Sequence, residues 1–250
     1  MSADDSNGRG LGTVATAASE LVDDVFRSLS EIGDNLLAVW NTQGGRARSA
    51  DLGSLRDVVL QRMSSLGTLV TGAGVVMADN ALADRARHLE WWQPADHDDD
   101  DEPTRLQLDF NPQSSYFYDY SAMDWFSIPR DLDEKWISGP YLDYTGTDLY
   151  ICTFAVPVRL DTGEFLGVAG ADVTVSGIES RLWATLSAVR GNTVLINAEG
   201  RVIVGNDADH ATGSKAPGRI QSSPPVPVRN APWSVVELAV SSRGPNSPSQ

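Results

Sequence analysis

The feature that most constrains this chain is a change of hydrophobic period at Gly67. From Thr13 to Trp40, the residues Leu21, Val25, Leu29, Ile32, Leu36 and Trp40 recur at three- and four-residue spacing among Asp, Glu and Arg, which predicts a long amphipathic helix. A second helical stretch carries Leu52, Leu55, Val58, Val59 and Met63, after the breaker-rich segment Asn41 to Ser49. Beyond Gly67 the pattern turns to β. Segments 68–78, 88–93 and 104–110 read as an antiparallel meander, with an acidic loop at 96–102. Segments 148–160 and 164–173 flank the turn Asp161-Thr162-Gly163, as in a hairpin. Ser176-Gly177-Ile178-Glu179 has the form of a capping box and opens a helix to Arg190, which Gly191 ends. Strands at 193–197, 201–204 and 233–240 follow.

Two helices, five strands, a helix and three strands predict an α+β fold, with long N-terminal helices packed on a central antiparallel sheet. The expected layout is one domain over 13–240: helices at 13–64, sheet and pocket at 68–173, and a helix with closing strands at 176–240. Residues 1–12 and 241–250, rich in Gly, Ser and acidic or Pro residues, are expected to be disordered. With 250 residues, 41% of them hydrophobic, the chain can bury a sizeable core.

A net charge of −15 repels phosphate backbones and anionic bilayers, so neither nucleic acid nor a membrane is an expected partner, whereas cationic ligands are favoured. The single Cys152 excludes an internal disulfide and reads as a buried strand residue. Neither a secretory leader nor an 18-residue apolar run is found, and cytoplasmic residence is the expectation. His88, His97 and His210 lack metal-ligand spacing, and no nucleophile elbow or phosphate loop occurs, so neither a metal, a cofactor nor catalysis is expected. Gly8, Gly10 and Gly12 follow no strand. Asp207-Ala208-Asp209-His210 lies in a polar connection and reads as a turn.

The densest chemistry lies between Phe117 and Tyr144, where eight of twenty-eight residues are aromatic and five are Asp. Rings beside carboxylates suit a cationic guest: the ring faces attract the charge and the carboxylates accept its N–H donors. Trp91 and Trp92 are adjacent on a strand, so only one of them can face a pocket.

The run Tyr118 through Trp125-Phe126, then Gly139-Pro140-Tyr141-Leu142-Asp143, then Thr153 to Val158, then Leu166 to Asp172 resembles the core signature of Cache (PDC, PAS-like) sensor domains. The resemblance spans roughly Leu21 to Val204. It implies a ligand-binding module without enzymatic activity, its ligand held between sheet and loops. In amino-acid-binding members a Tyr, an Arg five residues later, a Trp-Tyr pair and a distant Asp clamp carboxylate and ammonium. Tyr118, Trp125, Phe126 and Asp172 fall on those positions, and Met123 stands in the place of the Arg, beside Asp124. Loss of the Arg fork points away from α-amino acids and toward a small amine or polyamine. Tyr141 would complete an aromatic cage, Asp143 would be a second acceptor, and Tyr116, Tyr120 and Tyr144 are secondary candidates. The chain would signal through a regulator protein or a second copy, met by the N-terminal helix. Val22, Phe26 and Val39 widen that helix's apolar stripe.

Overall fold

The first helix is longer than its hydrophobic stripe predicts. The computed structural model describes residues 3–94, 102–143, 148–206, 209–216 and 224–238, the side chains of 3–7 excepted. In it α1 spans Ala3–Thr42, so the expected disordered leader is helical from Ala3. Glycine is a poor helix former, but packing overrides propensity here. A β-carbon on Gly10 would stand 3.2 Å from Val189 Cγ1, a tight approach that glycine eases, and the next residues on that face, Leu11 and Val14, are buried. Val22 and Phe26 are buried and Val39 packs on the core, so the wide stripe is consumed inside the domain.

A 3₁₀ stretch, Ser49–Leu55, leads into α2 (Arg56–Leu66). Six strands, β1 (Val70–Met77), β2 (Leu89–Gln93), β3 (Thr104–Arg105), β4 (Trp136–Leu142), β5 (Tyr150–Arg159) and β6 (Phe165–Thr174), form an antiparallel sheet in the order β3-β2-β1-β6-β5-β4. The expected strand at 104–110 is paired only at its first two residues. A short helix, α3 (Asp124–Leu132), and β4 arise within the aromatic segment, where no period announced them.

The helix α4 (Val175–Leu186) follows β6 directly. Its N-cap is Thr174, whose hydroxyl accepts from the Gly177 amide at 3.0 Å, so Ser176 lies inside the helix and the expected capping box does not form. The closing strands do not join the central sheet. β7 (Asn192–Asn197), β8 (Val202–Gly205), β9 (Val226–Pro227) and β10 (Trp233–Leu238) make a second antiparallel sheet in the order β8-β7-β10-β9.

Strand alternation divides the large sheet into two chemistries. Cys152, Phe154, Val156, Ala169, Ala171 and Val173 join the core beneath α1, while Ala155 and Val168 face the opposite side. Phe154 stacks between Phe26 of α1 (5.3 Å) and Trp233 of the second sheet (5.8 Å), which welds the three layers. Among the described residues no helix is long and apolar enough to cross a membrane. Residues 239–250, including the expected tail, lie outside those described, as do Asp207, Ala208 and most of the acidic loop.

Candidate ligand-binding site

On the face of the sheet away from α1, three neighbouring strands bring Gly72, Asp172 and Thr153 into one row: Gly72 is paired with Asp172, and Asp172 with Thr153. The fourth strand reaches the same face through a bulge. Ser138 opposes Thr153 and Tyr141 opposes Ile151, so β4 carries one residue more than β5 over that step. Gly139 permits this at φ 113°, where a β-carbon would lie 2.7 Å from the Ile151 carbonyl oxygen. The extra residue returns Tyr141 to the cavity side, and Asp143, two positions on, follows it.

The cavity so formed has an accessible interior of about 60 Å³, room for a ligand of few heavy atoms. Val76, Leu89, Trp91, Leu106, Leu108 and Ile151 supply its apolar walls, and Gln93 a neutral amide. The segment after β3 thus serves as a wall, anchored where the Leu106 amide donates to the Trp91 carbonyl at 2.9 Å.

Of the residues singled out in the sequence, Tyr118, Tyr120, Trp125, Tyr141, Asp143 and Asp172 line this cavity. Two do not. Phe126 is buried behind it, edge-on to Tyr120 (5.0 Å) and Phe165 (5.5 Å), because the first turn of α3 directs it into the core. Met123, at the N-cap of α3, lies in a wider groove outside, together with Asp124. Tyr116 is exposed, and Tyr144 lies outside the described residues. Trp91 faces the cavity, whereas Trp92 turns to the other side, its ring 5.2 Å from the Arg56 guanidinium.

Polar order in the site runs through Thr153, which sequence reasoning missed. Its hydroxyl donates to Asp172 Oδ1 at 2.6 Å and shares a short hydrogen bond with the Tyr141 hydroxyl. A single threonine proton, given to the carboxylate, leaves Tyr141 as donor in the second bond. Tyr120 is tied elsewhere, its hydroxyl donating to the Met77 carbonyl at 2.9 Å.

Two carboxylates, Asp143 and Asp172, line the cavity, and no Lys, Arg or His does among the described residues. Desolvation raises the Asp172 pKa to about 7, with a further push from the Asp143 charge, against the opposing hydrogen bond from Thr153. Desolvation, then the charges of Asp172 and Asp143, hold the Tyr118 phenol up at about 12 and raise that of Tyr141 further. No group of three or more His, Cys, Asp or Glu side chains among the described residues could hold a metal.

Residues 72–180 match the model of the first PDC sensor domain of methyl-accepting-chemotaxis-protein-like receptors. No curated protein matches the sequence. Solved structures resemble it across nearly the full chain. The ligand-binding domain of the Pseudomonas aeruginosa PAO1 amino acid chemoreceptor PctB, in complex with L-Arg, superposes with a TM-score of 0.61 at 14% identity, covering 93% of each chain. That of the P. aeruginosa receptor PctC, in complex with GABA, gives 0.59 at 17% identity, covering 92% of this chain and 97% of that one. The domain of Pseudomonas fluorescens CtaA, in complex with L-valine, gives 0.61 at 12% identity, covering 95% and 97%. At such identities the likeness is one of fold. Residues 72–180 of this chain thus match a PDC sensor-domain model, within the α+β architecture that chemoreceptor ligand-binding domains share.

Proposed function

We propose that the chain is a non-enzymatic sensor that takes a small amine into this cavity and signals through a partner protein. One observation carries the amine: the buried Asp172 carboxylate lies in a cavity whose described lining includes aromatic rings but no Lys, Arg or His. Desolvation, and then the Asp143 charge, raise the pKa of Asp172, and a paired ammonium ion would offset both. Tyr118, Trp125 and Tyr141 offer ring faces for the same cation. An α-amino acid is the second reading, favoured by the ligands of the PctB and CtaA domains. With Met123 outside the cavity, its carboxylate group would face Asp143 and Asp172 with no guanidinium among the described residues that line the cavity itself.

Calorimetric titration with propylamine, L-alanine and propionate separates these readings. Propylamine is expected to bind best and propionate not at all. Tight binding of L-alanine with silence from propylamine would replace the amine by an amino acid. The amine affinity should also depend on pH in a fixed direction. Asp172 must be ionised to pair with an ammonium, so below its free pKa of about 7 the ligand has to displace a proton. Lowering the pH from about 7.5 to about 6 is expected to weaken propylamine roughly eightfold, the ratio of the ionised fractions at a pKa of about 7. A flat profile would remove Asp172 from the site.

A further inference from the structure

The row of the sheet that carries Asp172 ends on a second polar group. Ala73 is paired with Trp92, so Gly72 and Gln93 come next in that register, and the row runs Gln93, Gly72, Asp172, Thr153. Gln93 stands two positions after Trp91 on β2, and both line the cavity. The Gln93 carboxamide has no hydrogen-bond partner among the described residues. The residue is only half-buried, so a ligand can reach it, whereas the indole nitrogen of Trp91 is sealed against Gly72. Gly72 brings no side chain between Gln93 and Asp172, and the indole edge lies over it, 2.5 Å from where a β-carbon would stand. The carboxylate and the carboxamide thus face the cavity across an apolar floor.

Two strand spacings put the α-carbons of Gln93 and Asp172 about 9.6 Å apart. A hydrogen bond of about 2.9 Å at each end leaves about 4 Å between the polar groups of a ligand that bridges the two side chains. Two methylenes span that gap. Gln93 offers one acceptor oxygen and two N–H donors, and a primary carboxamide returns the same set, closing a pair of hydrogen bonds. A hydroxyl would fill one of the two, and a carboxylate has no donor for the Gln93 oxygen. The interior of about 60 Å³, at about 10–15 Å³ for each water-sized group, holds a molecule of that size. We infer that the ligand is a 3-amino carboxamide, its ammonium on Asp172 and its amide paired with Gln93. This rests on the amine reading and adds the group at the far end of the ligand.

Three molecules of nearly equal shape test it by calorimetry on the full chain: 3-aminopropanamide, 3-methylbutylamine, in which an isopropyl group replaces the amide, and 3-aminopropanoate. The amide is expected to bind about thirtyfold tighter than the alkylamine, the worth of two neutral hydrogen bonds, and tighter than the carboxylate. In Gln93→Met, which keeps the length of the side chain and removes its amide, that advantage should fall below about threefold while 3-methylbutylamine changes by less than that. The comparison of the three ligands on the wild-type protein needs no variant to fold. Equal affinities for the amide and the alkylamine, tighter binding of the carboxylate, or an amide preference that survives in Gln93→Met overturns the inference and leaves the amine reading standing. Binding of neither the amide nor the alkylamine overturns both.

Discussion

Asp172→Asn is expected to abolish amine binding and, in the same protein, to raise the melting temperature of the ligand-free form at about pH 8. The first effect follows from removing the ionic partner of a desolvated ammonium, which costs at least about 100-fold in affinity. The second follows from linkage. The Asp172 carboxyl titrates near 7 in the fold against 3.8 as a free side chain. Its folded pKa is thus raised, so its contribution to stability is fully present below about pH 4 and is lost as the pH rises through 7. At pH 8 the fold carries a buried, uncompensated charge. Asparagine keeps the shape and an oxygen to accept from Thr153. The gain should be roughly 1–3 kcal/mol, or about 2–4 °C for each kcal/mol, and should fade toward pH 4. Thermal melts across that range, read beside calorimetry, test both halves. A variant that loses stability at pH 8 would make Asp172 a structural residue.

Gly74→Ala should be among the most damaging small substitutions at the described residues. A β-carbon at residue 74 would stand 2.0 Å from the Glu90 carbonyl oxygen and 2.7 Å from the Trp91 α-carbon. Both are backbone of β2, which can yield only by breaking its pairing with β1. A loss of about 3 kcal/mol or more is expected in chemical denaturation. Because β2 carries Leu89, Trp91 and Gln93 into the cavity, any folded remainder should also bind poorly. Gly53→Ala, with nothing within 4 Å of the new carbon, is the matched control and should stay within about 0.5 kcal/mol. Equal stability of the two variants would contradict the close approach of β1 and β2.

The helical stripe of α1 and the β5–β6 hairpin were legible because each is written in a period long enough to count. The site was legible only in part, and Thr153 shows why. Counting outward from the turn at Asp161 to Gly163, with Leu160 bonded to Glu164, sets Thr153 opposite Ala171. A bulge between Val158 and Arg159 advances the register by one, and Thr153 meets Asp172 instead. One unannounced residue decides whether the threonine touches the carboxylate. The bulge in β4 hides the placement of Tyr141 and Asp143 in the same way. Phe126 and Met123 were misplaced for a different reason. The aromatic segment holds α3, whose nine residues are too short to declare a helical period, and a helix sends neighbouring side chains to different faces. The two-sheet arrangement escaped notice because strand pairing over long sequence separation leaves no local mark.

The Phe26, Phe154 and Trp233 stack sets the smallest piece of this chain that can stand alone. The match to the PDC sensor-domain model covers residues 72–180 and includes only the middle ring of the three. A fragment cut to that match would open one whole side of its sheet to water, with Cys152, Phe154, Ala171 and Val173 uncovered. The recognisable segment and the autonomous folding unit are therefore different lengths of chain: recognition needs the strands, but solubility needs the helix before them and the second sheet after them.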